Sequence, residues 1–353
     1  MALINLIRID ELSGVMVADE EFWRRGTRRT LALDSLHSLL PVDFCENSGI
    51  EAVIGIEGDP SVTFEAVLRI RQSLKEAVQD PSKAGRDEPF KTLKEIAEFA
   101  VRETEMLIRK RIDDQLVFAY GFTSDDLNRG HFETAGKKVE IKLDQIRTDA
   151  FSWSKYNPAA ARTKHLFEMH ALIAGIDSRN GFHWYEWSGV PGNIFFGTGN
   201  FETIGKGSDA ASLAFIDIFR KRELKKRRMG LSAEEALCAL LEAQEAALRF
   251  NHEVGGYPSF VILNGHGKSH AERYREYIGH GAKLAQEIVI GYVHGYLRKA
   301  DAIRFIKALI IDNADVDAIE TDCMKVSKDA RAFEHFLRGY KSSIAAIKEE
   351  AAS

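Results

Sequence analysis

Residues 3–19 read LINLIRIDELSGVMVAD, and this stretch decides the fold. Apolar and β-branched residues fill both ends of it, while Asp10 to Gly14 supply the turn-forming residues between them. Two short apolar runs separated by such a turn are typical of a β-hairpin. The chain is therefore predicted to open with two antiparallel strands, the second of which ends at Asp19.

From residue 20 to about residue 264, the sequence alternates between strand-like and helix-like patterns. A turn at Gly58-Asp59-Pro60 precedes apolar residues that recur every four positions, which predicts a helix to Val78. Ser232 and Glu235 form a capping-box pattern ahead of a helix over residues 233–252. The other predicted elements are a helix over 89–112, strands over 50–57, 170–175, 182–187, 193–196 and 260–264, and a helix from Asp209.

Paired strands alternating with pairs of helices predict an α+β fold, a four-layer αββα sandwich. Residues 121–164 carry many glycine, asparagine and charged residues around an alternating piece at 139–143, and we interpret them as an inserted arm. No strand pattern is found after Lys268, and helices are predicted over 270–297, 301–312 and 326–350. The predicted domains are a sandwich over 1–264 and an all-α extension over 265–353.

Composition excludes several classes of protein. The 353 residues are 45% apolar and 29% charged with a net charge of −5, so nucleic acid is not an expected partner and no membrane span is expected. Three separated cysteines without a CxxC pair indicate neither a disulfide framework nor a zinc site, and they fit a cytoplasmic protein. Acidic and basic residues interrupt the first twenty positions, which argues against a signal peptide. No cofactor is predicted.

Five segments resemble, in order, the motifs of the proteasome-type N-terminal-nucleophile hydrolases. They are VMVAD at 15–19, VIGIEGD at 53–59, LIAGID at 172–177, IGKGSDAA at 204–211 and GLSAEEAL at 230–237. The resemblance implies the sandwich named above and assembly with copies of itself or with a related chain, for which a ring is one expected form. It covers about residues 3–264 and does not extend to the inserted arm or the C-terminal helices.

The chemistry that the resemblance implies is incomplete. The family uses a Thr, Ser or Cys at the start of the mature chain as nucleophile, and counting back from Asp19 reaches Leu3. No lysine precedes Lys75, whereas the family places one on an early strand. The family's serine in the glycine-rich turn matches Lys206, and its late Asp and Ser should lie near 255–259, where only Ser259 has an aliphatic hydroxyl. Asp19 is retained, and we interpret it as structural.

The sequence therefore favours a non-catalytic, proteasome-like subunit that acts as a self-assembling scaffold or binding protein. The alternative is a hydrolase or other small-molecule enzyme on the same fold, whose candidate ligand-binding residues are Lys206, Ser208 and Asp19. A weaker alternative is a peptidase whose mature chain starts elsewhere. No catalytic residue is assigned.

A histidine pair, a basic run and an aromatic-rich segment are each assigned a structural role. His266 and His270 stand four apart, yet no cysteine is near them in the sequence, and no metal site is predicted. Seven basic residues at 220–228 are interpreted as a solvated helix end, with an anionic partner as the alternative. The aromatic residues of 182–196, together with Trp153, are assigned mainly to the core, with a pocket wall as the alternative.

Overall fold

The computed structural model describes residues 3–19, 21–24, 27–30, 35–141, 169–188, 194–224, 231–251, 254–256 and 258–334. Its helices are α1 (Val42–Ser48), α2 (Pro60–Gln79), α3 (Leu93–Tyr120), α4 (Ser124–Arg129), α5 (Ser208–Leu224), α6 (Ala233–Phe250), α7 (His270–Arg273), α8 (His280–Val293), α9 (Lys299–Ile306) and α10 (Val316–Val326). A 3-10 turn at Pro81–Ala84 follows α2, and a π-helical turn at Lys307–Ile311 follows α9.

The strands form two five-stranded antiparallel sheets and two small hairpins. Sheet I contains β1 (Leu3–Arg8), β2 (Ser13–Asp19), β12 (Phe201–Gly205), β13 (Pro258–Asn264) and β14 (Tyr274–Tyr277) in the order β12-β1-β2-β13-β14. Sheet II contains β5 (Leu36–Ser38), β6 (Glu51–Gly58), β9 (Met169–Asp177), β10 (Gly181–Trp187) and β11 (Phe195–Phe196) in the order β11-β10-β9-β6-β5. The hairpins pair β3 (Glu21–Arg24) with β4 (Thr27–Thr30) and β7 (His131–Thr134) with β8 (Lys137–Glu140).

The predicted opening hairpin is confirmed, since β1 and β2 pair with Leu6 opposite Met16. Side chains alternate between two cores along both strands, as a strand period of two requires. Ile4 and Leu6 join a cluster that also contains residues of sheet II, such as Val53 and Trp184. Sheet I and sheet II therefore share one core.

Two further cores lie on the other faces of the sheets. Leu3 and Val17 of sheet I pack in a cluster with apolar residues of α5, α6, α8 and α9. Ile54 and Ile173 of sheet II pack in another cluster with residues of α2 and α3. Each of these two cores joins one sheet to helices.

The two sheets approach each other closely where β2 begins. A Cβ atom at Gly14 would lie 2.0 Å from the ring of Phe182, so only glycine fits there. The backbone amide of Phe182 also donates to the carbonyl of Glu11, over 2.8 Å. The turn between β1 and β2 is thereby bonded to the start of β10.

The predicted helices at Asp59–Val78 and at 233–252 are confirmed as α2 and α6, and the capping box of Ser232 and Glu235 is present. The predicted second helix begins at Leu93 rather than Pro89 and continues to Tyr120. Of the predicted arm, residues 121–141 contain α4 and the β7–β8 hairpin, while 142–164 lie outside the described residues.

The prediction that residues 265–353 are all helical is wrong. Residues 274–277 form β14, which pairs with β13 with Tyr277 opposite Phe260. The hydrogen-bonding edge of β13 binds this segment, and such tertiary pairing outweighs a local helical pattern. Sheet I therefore continues past residue 264, and α8 and α9 share a core with α6. The part of the predicted last helix at 335–350 lies outside the described residues.

Candidate functional site

Asp19 occupies the end of β2, where its carboxylate is fully buried. Oδ1 accepts the backbone amide of Leu3 at 2.6 Å, and Oδ2 accepts the backbone amide of Gly255 at 2.9 Å. The carboxylate thus fixes the start of β1 and the segment before β13 to one point. Two charge-assisted bonds to backbone donors agree with the structural role that the sequence favours for Asp19.

Lys206 and Ser208 belong to the same end of sheet I. The register pairs Leu3 with Gly205, the residue before Lys206, and Ser208 begins α5. Gly205 and Gly207 both have positive φ angles, so the turn around Lys206 needs a glycine on each side. The Ser208 carbonyl accepts the Thr203 hydroxyl at 3.2 Å. A ligand role for Lys206 or Ser208 remains a prediction.

Leu3 and Ser259 lie at the same end of sheet I as Asp19. Leu3, at the position where the resemblance expects the nucleophile, has an apolar side chain buried in the core with α5 and α6. Ser13 lies at the opposite end of β2, where its hydroxyl donates to Asn264. The hydroxyl of Ser259 is buried, and no partner for it is found within the described part of the chain. Neither of these two described hydroxyls stands at the position of Leu3, which the resemblance assigns to the nucleophile.

A second polar cluster lies at the other end of the sandwich and combines residues that are distant in sequence. Cys45 comes from α1, Glu51 begins β6, and His270 and Arg273 belong to α7. Glu51 is buried, and its Oε2 lies 2.9 Å from His270 Nδ1 while its Oε1 accepts Arg273 Nε at 2.9 Å. One donor atom each from Cys45, Glu51 and His270 lie within 4.8 Å of one another.

Arg273 holds this cluster together. Besides Glu51, its guanidinium donates to the carbonyl of Cys45 at 2.6 Å and to that of Lys268 at 2.8 Å. Three acceptors therefore satisfy a buried cation whose five N–H groups form a rigid fork. The His270 ring stacks on Tyr274 with centroids 5.4 Å apart and an interplanar angle of 9°, which fixes its orientation.

The cluster is not arranged as a cysteine nucleophile with its base. Burial and the neighbouring Glu51 carboxylate raise the pKa of the Cys45 thiol, so the thiol is neutral. Its hydrogen-bond partner is Glu51, whereas a catalytic cysteine is activated by an adjacent base in a partly exposed position. Sequence reasoning missed this cluster because 219 residues separate Glu51 from His270.

A cavity of about 410 Å³ lies between α5, α6, α8 and α9, and its charged walls are internally paired. Lys221 pairs with Asp217, Arg222 lies 3.0 Å from Glu235, and Lys299 pairs with Glu242. Residues 225–228 of the basic run lie outside the described residues. Of the basic run, Lys221 and Arg222 are thus paired with carboxylates, and its interpretation as a solvated helix end stays a prediction.

The aromatic residues assigned to the core are mostly buried there. Phe182 and Trp184 lie between the two sheets, and Trp187 packs with α2 and α3. Phe195 and Phe196 of β11 are about half exposed, and Trp153 lies outside the described residues. The described aromatics therefore serve packing more than a pocket wall.

The ionisation of Glu287 in α8 makes the free energy of unfolding depend on pH. Burial raises the pKa of Glu287 to about 7, with the Glu320 carboxylate adding to this and Lys283, 3.7 Å away, opposing it. The folded chain holds this proton more tightly than the unfolded chain does, so stability falls as pH rises from about 4.5 to about 7. Over this pH range, the free energy of unfolding falls by about 3 kcal/mol.

Replacement Glu287→Gln keeps a neutral side chain at every pH. We expect the variant and the parent to have similar free energies of unfolding near pH 4, and the variant to be more stable by about 3 kcal/mol near pH 8. Urea unfolding at both pH values measures this difference. An equal difference at the two pH values would contradict the assignment, because a simple packing change does not titrate.

Among the described residues, no helix has both the length and the apolar character needed to cross a bilayer. No family model and no curated protein matches the sequence. Among solved structures, the chain is similar to Anbu (ancestral beta-subunit) from Yersinia bercovieri, with 12% identity and a TM-score of 0.48 over 98% of this chain and 96% of that one. A likeness of this degree establishes neither a family nor an activity.

Proposed function

We propose that the chain is a non-catalytic, proteasome-like subunit that assembles with copies of itself and acts as a scaffold or binding protein. The observation that carries this proposal is the pairing of Leu3 with Asp19. An apolar side chain stands where the nucleophile belongs, and both oxygens of the retained aspartate bind backbone amides. The site is thus used to hold the sandwich together.

The arrangement of cores supports the four-layer αββα sandwich. One apolar cluster lies between sheets I and II, and the other two join each sheet to its own helices. An antiparallel sheet with two apolar faces must be covered on both, and this favours the order helix, sheet, sheet, helix. This is the architecture that the sequence motifs imply.

Exposed apolar side chains on the helical layers support self-assembly. On α2, Phe64 and Leu68 lie one turn apart and are 51% and 53% exposed. On the neighbouring α3, Val117 and Phe118 are 49% and 95% exposed. We name these four residues the α2–α3 face. Large exposed apolar groups on a helical layer are typical of protein interfaces.

Light scattering of the intact chain tests the assembly. Each chain has a mass of 39.6 kDa, and we expect a closed assembly of about six or more chains. In the double variant Phe64→Glu/Leu68→Glu, two carboxylates would have to be buried in the interface, so we expect it to dissociate into smaller species. Both side chains are half exposed in the single chain, so the fold should tolerate the change.

A matched control uses Ile278→Glu, which places a carboxylate at a similarly exposed apolar position outside the α2–α3 face. This variant should keep the mass of the parent. If the parent itself is a monomer at all concentrations, the scaffold proposal is wrong, and the small-molecule enzyme becomes the better explanation. If both variants dissociate equally, the chains assemble through some other surface.

A further inference from the structure

The cluster of Cys45, Glu51 and His270 has a donor set that the proposed scaffold role does not explain. A thiol, a carboxylate and an imidazole meet at a point where α1, β6 and α7 come together. Cysteine sulfur, histidine nitrogen and carboxylate oxygen are the three protein ligands of Zn²⁺. Their combination at one place is a stronger signal than a group of carboxylates alone.

The spacing of the donor atoms suits a single metal ion. Ligand atoms around a tetrahedral Zn²⁺ are about 3.3–3.6 Å apart, given the usual metal–ligand distances. The three donors here lie within 4.8 Å of one another, and the His270 and Glu51 atoms are 2.9 Å apart. Each of these separations is thus within about 1.5 Å of the one that a shared ion requires.

The surroundings of the donors match the outer shell of a metal site. Arg273 binds Oε1 of Glu51 and so leaves Oε2 directed toward His270. The same guanidinium fixes the backbone of Cys45, and the stacked Tyr274 fixes the imidazole ring. Hydrogen-bonded carboxylates and oriented imidazoles are what second-layer residues provide around bound metals.

We propose that Cys45, Glu51 and His270 form a binding site for Zn²⁺ or a similar divalent transition metal. Binding forms bonds to the metal from the Cys45 sulfur, Glu51 Oε2 and His270 Nδ1. The thiol proton leaves to the solvent, the hydrogen bond between His270 and Glu51 breaks, and the imidazole carries its proton on Nε2 instead; the oxidation state does not change. Three protein ligands leave a fourth position for water. The ion would link α1 and β6, which belong with sheet II, to α7, which lies between β13 and β14 of sheet I.

Co²⁺ is a suitable spectroscopic probe, because a thiolate ligand gives it a charge-transfer absorption that carboxylate and imidazole ligands do not. We expect the metal-free full-length chain to bind one equivalent of Co²⁺ with this band, and Zn²⁺ to displace it. Cys45→Ser should abolish the band. His270→Gln preserves a hydrogen-bonding side chain but removes a ligand. It should weaken metal affinity by about tenfold or more.

Matched controls come from the chain itself. Cys238 is another buried cysteine next to a carboxylate, since its Sγ lies 3.4 Å from Glu242 Oε1, and Cys238→Ser should keep the band. His266 is exposed and lies four residues before His270, so His266→Gln should also leave binding unchanged. Circular dichroism confirms that each variant is folded.

Two results would overturn the proposal. The first is the absence of stoichiometric Co²⁺ or Zn²⁺ binding by the folded parent chain, which would show that the three side chains form only a hydrogen-bonded network. The second is a band that survives in both Cys45→Ser and His270→Gln. Neither result bears on self-assembly, which is measured separately by mass.

Discussion

Replacement of Asp19 by alanine is expected to lower the free energy of unfolding by about 3–5 kcal/mol. The fully buried carboxylate accepts the amides of Leu3 and Gly255, and its removal leaves both donors buried without an acceptor. A hydrogen bond to a charged group contributes about 1.5–3 kcal/mol, and an unsatisfied buried donor adds its desolvation cost.

Asp19→Asn should have an intermediate effect. The amide keeps one oxygen for one of the two donors but directs its NH2 group at the other, so we expect a loss of about 2 kcal/mol. Urea unfolding with linear extrapolation measures all three proteins. We expect the free energy of unfolding to increase from Asp19→Ala to Asp19→Asn to the parent. This order distinguishes the effect of the hydrogen bonds from the effect of side-chain volume.

Asp10 supplies the matched control for this series. It lies at the other end of the same hairpin, and its Oδ1 also accepts a backbone amide, that of Leu12, at 2.8 Å. Because this bond is exposed, water can replace it, and Asp10→Ala should cost less than about 1 kcal/mol. A cost for Asp19→Ala no larger than this would contradict the structural role of Asp19 and would return it to the candidate ligand-binding residues.

Local signals explain which parts of the fold could be predicted from the sequence. The capping box of Ser232 and Glu235 lies within four residues, and the stripe from Val62 to Leu74 lies within one helix. The β1–β2 hairpin depends on a short turn and on strand alternation. Each of these patterns reports contacts between residues that are close in sequence, so a single chain is enough to recognise them.

The features that were missed depend on contacts across the chain. β14 forms because β13 offers an unpaired edge, and the short segment at 274–277 has no strand signal that distinguishes it from the helices around it. The Cys45 cluster depends on α1, β6 and α7 meeting in space, which the spacing of histidines along the sequence does not reveal. Asp19 was recognised by its motif, but its bond to Gly255 spans 236 residues.

Replacement of Glu51 by alanine is the second large effect that we expect, with a loss of about 3–5 kcal/mol in metal-free buffer. Glu51 and Arg273 form a buried ion pair, in which Oε1 accepts Nε at 2.9 Å. Without the Glu51 carboxylate, the buried guanidinium keeps two carbonyl acceptors and, as its nearest anion among the described residues, the exposed Glu46 carboxylate at 3.9 Å. Removing one member of a buried pair is far more costly than removing both.

A double-mutant cycle with Glu51→Leu and Arg273→Met tests this reasoning. Each single variant leaves an uncompensated buried charge, whereas the double variant leaves none, so its loss should be smaller than the sum of the two by about 2 kcal/mol or more. Glu46 is the control, since its carboxylate is exposed and 3.9 Å from Arg273, and Glu46→Ala should cost less than about 0.5 kcal/mol. Strict additivity would mean that the pair is solvated.

Because the cycle is measured with a chelator present, the ion pair can be confirmed even if the three donors bind no metal, and metal binding can be confirmed even if the cycle is additive.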